Sequence, residues 1–154
     1  LRQAHPDWAP GEIKAALMGT AKDPGGDALP LEVGAGIIDV GAALQPVAMA
    51  DPASLSFKAV PVEPAKGKGK KSPENAILVT LKNTSGSDQV FRIVADDNLR
   101  VSKKSLKIRR GKTAQFTVIP LTKGKLPGQN VQGYIVIKAK NGQSIRIPYY
   151  FLVQ

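Results

Sequence analysis

From Ser54 onward apolar side chains recur at every second position, and no other property of the chain narrows its fold so far. Leu55, Phe57 and Ala59 alternate with Ser54, Ser56 and Lys58, and Ile77, Val79 and Leu81 alternate with Leu78, Thr80 and Lys82. A period of two turns successive side chains to opposite faces of a strand, one for burial and one for water. The same pattern marks Val90 to Val94, Leu99 to Val101, Leu106 to Ile108, Ala114 to Ile119, Tyr134 to Ala139 and Ser144 to Tyr149, about eight strands with no helix among them. Asn141-Gly142, between strands ending at Ala139 and starting at Ile145, predicts a hairpin with a type I′ turn, whose two central residues both need positive φ. Arg110-Gly111 closes another pair, while Pro120, Pro127 and Gly128 set off a longer connection. Short alternating strands over about 100 residues predict a mainly β fold, a β-sandwich of immunoglobulin or fibronectin type III character, since each of two sheets must bury one face.

Before Ser54 the pattern is helical. Pro10 suits the first helical position, and Glu12 falls in the first turn. Ala9 is a poor cap, about 1 kcal/mol worse than Ser, Thr or Asp, so something else must hold this end; Trp8 and Ile13 are spaced for a hydrophobic staple. Ile13, Ala16, Leu17 and Ala21 make the apolar stripe. Lys22 to Glu32 is a loop, Asp39 caps a short second helix with Val40, Ala43 and Leu44 on its apolar side, and Pro46 and Pro52 bracket a linker. The expected organisation is a short α-helical segment over residues 1–50, then the sandwich over residues 51–154. Charge divides at the same place: residues 1–50 hold three basic and six acidic side chains, a net of −3, and residues 51–154 hold nineteen basic and six acidic, a net of +13.

The chemistry that such a chain could perform is narrow. With no cysteine it has no disulfide, thiol nucleophile or cysteine metal site. Gly111-Lys112-Thr113 resembles the tail of a phosphate-binding loop, but the leading glycine would fall on Leu106 and no helix follows. Gly34-Ala35-Gly36 is no dinucleotide fingerprint, because the third glycine falls on Asp39. His5, the one histidine, precedes Pro6 at a helix junction, a poor place for a catalytic base. Asp96-Asp97-Asn98 could offer oxygen ligands to calcium, yet a turn between strands has the same composition. Asn83-Thr84-Ser85 is a glycosylation sequon by pattern only. No cofactor or metal is expected, no catalytic residue is assigned, and no apolar run approaches the roughly 18 residues of a membrane span.

The basic surplus is the remaining signal. Lys66, Lys68, Lys70 and Lys71 sit in a glycine-rich loop, and Lys103, Lys104, Lys107, Arg109, Arg110 and Lys112 decorate a strand and its turn. Lysines along a sheet edge also block pairing between sheets, which is the plainer role. The functional role is attraction to a polyanion such as an anionic cell-surface polymer. Few aromatics accompany the charges, so stacking on nucleic-acid bases is not expected.

Two stretches carry a resemblance. His5-Pro-Asp-Trp-Ala-Pro-Gly-Glu-Ile-Lys-Ala-Ala-Leu-Met-Gly-Thr-Ala21, followed by Val33-Gly-Ala-Gly-Ile-Ile-Asp-Val-Gly-Ala-Ala-Leu44, resembles the last part of a subtilisin-like serine protease domain. The later half, from Ser54-Leu-Ser-Phe57 to the Gly133–Tyr149 stretch, resembles the fibronectin type III-like module that follows such domains. The resemblance implies a secreted or cell-surface bacterial endopeptidase whose nucleophile, aspartate, histidine and oxyanion-hole asparagine all lie upstream of Leu1. The partners implied are the missing catalytic domain and its protein substrates. This chain would then be non-catalytic, its sandwich an accessory domain for substrate positioning, stability or surface attachment. The competing expectation is a stand-alone cationic module for adhesion to an anionic surface or polymer.

Overall fold

A computed structural model describes residues 1–62 and 75–154. The chain runs α1 (Pro10–Gly19), α2 (Pro30–Val33), α3 (Val40–Leu44), β1 (Ala48–Asp51), β2 (Leu55–Ser56), β3 (Ile77–Asn83), β4 (Gln89–Val94), β5 (Leu99–Val101), β6 (Ser105–Ile108), β7 (Thr113–Pro120), β8 (Asn130–Ala139) and β9 (Ser144–Leu152). The strands form a four-stranded sheet in the order β1-β3-β7-β5 and a five-stranded sheet in the order β2-β9-β8-β4-β6. All neighbours are antiparallel except β2, which runs parallel to β9. This is the mainly β sandwich that the alternation predicts. Inward positions of both sheets fill the core, with Val79, Leu81, Phe91, Phe116, Ile135, Ile137, Ile147 and Phe151 all essentially inaccessible.

The chain changes sheet at every connection from β1 to β8, and two of these crossings are made by short segments. After β1 it passes through Pro52 to β2, and Phe57, Val60 and Val62 continue the bonding along β9 by donating to the carbonyls of Tyr150, Leu152 and Gln154. After β5 it crosses at Ser102–Lys104 from the four-stranded to the five-stranded sheet, held by the Ser102 N–H on the Thr117 carbonyl and the Ile93 N–H on the Lys104 carbonyl.

Three local expectations are corrected. The stretch between Pro46 and Pro52 is a strand, β1, not a linker: Ala48 and Ala50 enter the sandwich core, while Met49 on the other face packs with Ala15, Ala16 and Ala43 of the helices. No non-glycine among the described residues has positive φ, so the 139–143 connection is not type I′. Gly142 alone takes the left-handed conformation at φ 89°, the glycine of a three-residue loop whose Ala139 N–H donates to the Gln143 carbonyl. On α1 the buried residues are Ala15, Ala16 and Gly19, with Ile13 and Leu17 half-buried. The helix lies so close to the sheet that only small side chains fit beneath it; a Cβ on Gly19 would sit 3.4 Å from the Ile145 Cβ.

The weak cap at Ala9 is offset by Glu12, whose carboxylate accepts from the Ala9 N–H at 3.0 Å and from Lys82 Nζ of β3 at 2.7 Å. Trp8 stacks on His5, with ring centroids 3.7 Å apart. At the other side of the appendage Arg146 is the fastening. Its Nε and Nη2 donate to the Ala35 carbonyl, Nη2 also to the Lys22 carbonyl, and Nη1 to the Asp23 carboxylate, while its guanidinium lies 4.3 Å over the Tyr134 ring.

Candidate functional site

The six described cations of the predicted basic group all lie at β6 and its two flanks, and all are exposed. Lys103 and Lys104 belong to the sheet-crossing segment, Lys107 lies on the outward face of β6 opposite Val90, and Arg109, Arg110 and Lys112 form the turn into β7. At about 3.3 Å per residue, the four residues of β6 separate its two ends by roughly 13 Å. Lys66, Lys68, Lys70 and Lys71 lie outside the described residues.

The turn is built to stay in place. Gly111 takes φ 70°, the Lys112 N–H donates to the Arg109 carbonyl, the Gly111 N–H to the Asn83 carbonyl at 3.0 Å, and the Arg110 N–H to Asp88 Oδ1 at 2.9 Å. Asn83 is fully buried; its Nδ2 donates to the carbonyls of Ile108 and Ser87, and its Oδ1 accepts from the Ser85 N–H and hydroxyl. That amide joins the two turns at this end of the sandwich and is closed to glycosylation.

Asp88 takes the Arg110 backbone N–H, and among the described residues none of the six side chains is in an ion pair; the ion pairs there are Lys22–Asp39, Lys82–Glu12 and Arg146–Asp23. The structure adds cations that the linear pattern left out. Arg92 on β4 stands directly opposite Lys138 on β8, both exposed, a like-charge pair of a kind that destabilises a sheet. A depression of about 730 Å³ beside the sheet-crossing segment brings Lys104 together with Arg92 and Arg100, with Asp96 and Asp97 on its rim. Alternation alone turns Arg92 and Lys138 outward, but their meeting depends on register between strands far apart in sequence.

The remaining candidate groups are structural. Asp96 Oδ2 accepts from the Tyr149 hydroxyl at 2.5 Å and its Oδ1 from the Asn98 N–H, so the carboxylate is committed. Burial first, then the Asp96 bond, push the Tyr149 hydroxyl well above its ordinary range and keep it protonated. No cluster of three His, Cys, Asp or Glu that could hold a metal occurs among the described residues. His5 Nε2 lies 2.7 Å from the Leu44 carbonyl, which can only accept, so this nitrogen carries the proton. No helix among the described residues is long and apolar enough to cross a membrane.

A cleft of about 410 Å³ adjoins the cationic turn. It lies where His5, Trp8 and residues 44–47 of the appendage meet the 84–89 and 141–143 segments of the sandwich, and no Lys, Arg, Asp or Glu lines it. Its residues come from four separate stretches, and no sequence motif announces them.

No known protein family and no curated protein matches the sequence. Solved structures do share the fold. The YadV chaperone aligns with a TM-score of 0.51 at 9% identity, over 70% of this chain and 52% of its own. A PapD-like domain of human CEP192 aligns at 0.49 and 10% identity, covering 70% and 85% of the two chains, and the periplasmic chaperone SfaE at 0.47 and 14%, covering 70% and 58%. The chain thus spans little more than half of either chaperone, and similarity at this level shows a shared β-sandwich fold alone. These findings overturn the expected identity as the tail of a subtilisin-like serine protease. These solved structures are chaperones and a PapD-like domain, not protease tails. Of the α1 stripe, Ala16 packs together with Ala15 against Met49 of β1, on the sandwich.

Proposed function

We propose that the chain is a non-catalytic binding module that holds an extended polyanion, such as an anionic cell-surface polymer, along β6 and the Arg109–Lys112 turn. One observation carries the reading: six exposed cations at one sheet edge, fixed by the Asn83 and Asp88 bonds, are in no ion pair among the described residues. Such a row attracts a flexible polyanion and releases its counterions. Lys66, Lys68, Lys70 and Lys71 would add a second cationic segment, and the setting would be secreted, periplasmic or cell-surface. The chain should be retained on a heparin column at about 50 mM salt and elute as salt rises. Replacing Arg109, Arg110 and Lys112 with Glu should move elution to markedly lower salt and flatten the salt slope by about three phosphate-equivalent contacts. No retention of the parent chain at about 50 mM salt rules the reading out.

A second reading, an accessory module seated on a larger protein body, draws on the appendage. Leu31, Ile37, Ile38 and Val40 are 57–61% exposed within ten residues of one another, and grouped exposed apolar side chains mark interaction surfaces. The isolated chain should self-associate at high concentration, and Ile38→Asp with Val40→Asp should hold it monomeric by sedimentation; a parent chain that stays monomeric counts against this reading.

A further inference from the structure

We infer that the polyanion is a glycan, an uncharged stretch of which lies in the cleft between appendage and sandwich while its anionic groups meet the Arg109–Lys112 turn. The inference rests on the polyanion reading above and adds the identity of the polymer. The volume of about 410 Å³ falls within the range of small-molecule sites, roughly 300–1,000 Å³.

The cleft chemistry selects hydroxyl groups. Gln89 is only 8% exposed, and its Nε2 donates to Ser87 Oγ at 3.2 Å while its Oε1 has no partner among the described residues. Every sealed side-chain nitrogen and oxygen among the described residues is hydrogen-bonded, so this oxygen opens to the space that Gln89 lines. Gln143 uses its Oε1 to accept from Asn141 Nδ2 and keeps both its own N–H groups unengaged. The Ser87 hydroxyl accepts from Gln89 and retains its proton for donation. His5 lies with Nε2 2.7 Å from the Leu44 carbonyl, and its ring stacks face to face on Trp8.

Acceptors and donors therefore line the cleft with no Lys, Arg, Asp or Glu among them, on a chain that carries 34 charged side chains. An apolar ligand would strand those amides, and an ion would find no counter-charge. A ring bearing several hydroxyls, each both donor and acceptor, satisfies both kinds. Neutral cleft and cationic turn are parts of one end of the molecule, because the 83–88 turn that supplies Ser87 is bonded to Gly111 and Arg110.

Trp8 is the single tryptophan and lines the cleft, so its emission reports occupancy. Three probes are titrated into the full chain: a sulfated oligosaccharide, its desulfated counterpart and inorganic polyphosphate of matched charge. The sulfated oligosaccharide should shift Trp8 emission and bind at least fivefold tighter than polyphosphate, with the desulfated form shifting the same emission at higher concentration. Gln89→Leu should weaken the sulfated oligosaccharide at least fivefold and leave polyphosphate within twofold. Asn141→Ala, on an exposed turn where Asn141 holds Gln143 through two hydrogen bonds, should act in the same direction, with the denaturant midpoint checking that the hairpin stays folded. If polyphosphate binds as tightly as the sulfated oligosaccharide, or neither variant separates the two, the glycan inference falls and the polyanion reading stands. If none of the three probes binds, both fall.

Discussion

The sandwich and its appendage are held by different physics. The sandwich interlocks large side chains: Phe91, Phe116, Tyr149 and Phe151 are at most 1% exposed, and Phe57 meets Phe151 edge to face at 6.0 Å. The appendage buries little beyond Ala15, Ala16, Ala21 and Ala43, and depends on polar fastenings at Arg146, Glu12 and Leu44. A region without large buried side chains gains its order from the surface that it lies on. It can therefore loosen while the sandwich stays folded.

Removing a large core side chain should abolish the contrast by unfolding both parts. Phe91→Ala deletes a ring with 0% exposure and should cost about 3–5 kcal/mol, read as a lower denaturant midpoint in which appendage and sandwich probes coincide. Arg146→Ala should expose the contrast. It removes four hydrogen bonds and the stack on Tyr134, at about 1–3 kcal/mol, and the loss should appear as faster amide exchange at Lys22 and Ile37, which bond each other, with Ile135 and Ile137 unchanged. Uniform loss of protection would mean that the two regions unfold together.

What the sequence discloses about these regions follows from range. Alternation is a property of neighbours, so the strands with one wet face were legible from Leu55 to Tyr149. β1 was not, because Val47, Ala48, Met49 and Ala50 are all buried, with helix on one side and core on the other, and a strand covered on both faces shows no alternation. Arg146 reads as one more outward cation on an alternating strand; its partners at Lys22, Asp23 and Ala35 lie more than 110 residues away. The cationic turn was visible as a run of charges, whereas the cleft beside it is assembled by the fold.

Acid gives the mildest version of the same comparison. The Lys82 bond, then the Ala9 N–H, hold the Glu12 carboxyl below its usual range; the Gly25 N–H, then Arg146, do so for Asp23; and Lys22, then the Ala42 N–H, do so for Asp39. A carboxyl with a lowered folded pKa stabilises fully above its unfolded value, near 4, and the contribution is lost as pH falls through the folded value. As pH falls below about 4, protection at Lys22 and Ile37 should fall slightly before that at Ile135, because all three groups belong to the appendage and are solvent-screened. Equal loss at both places would remove the distinction.

The parallel pairing of β2 with β9 has a mechanical consequence. Tension applied to the chain on the two sides of the sandwich draws β2 toward its N-terminal end and β9 toward its C-terminal end, sliding the two along each other. The bonds from Phe57 to Tyr150, Val60 to Leu152 and Val62 to Gln154 then share the load at once and do not open one after another. The sheet edge opposite β6 is in this way closed against pulling.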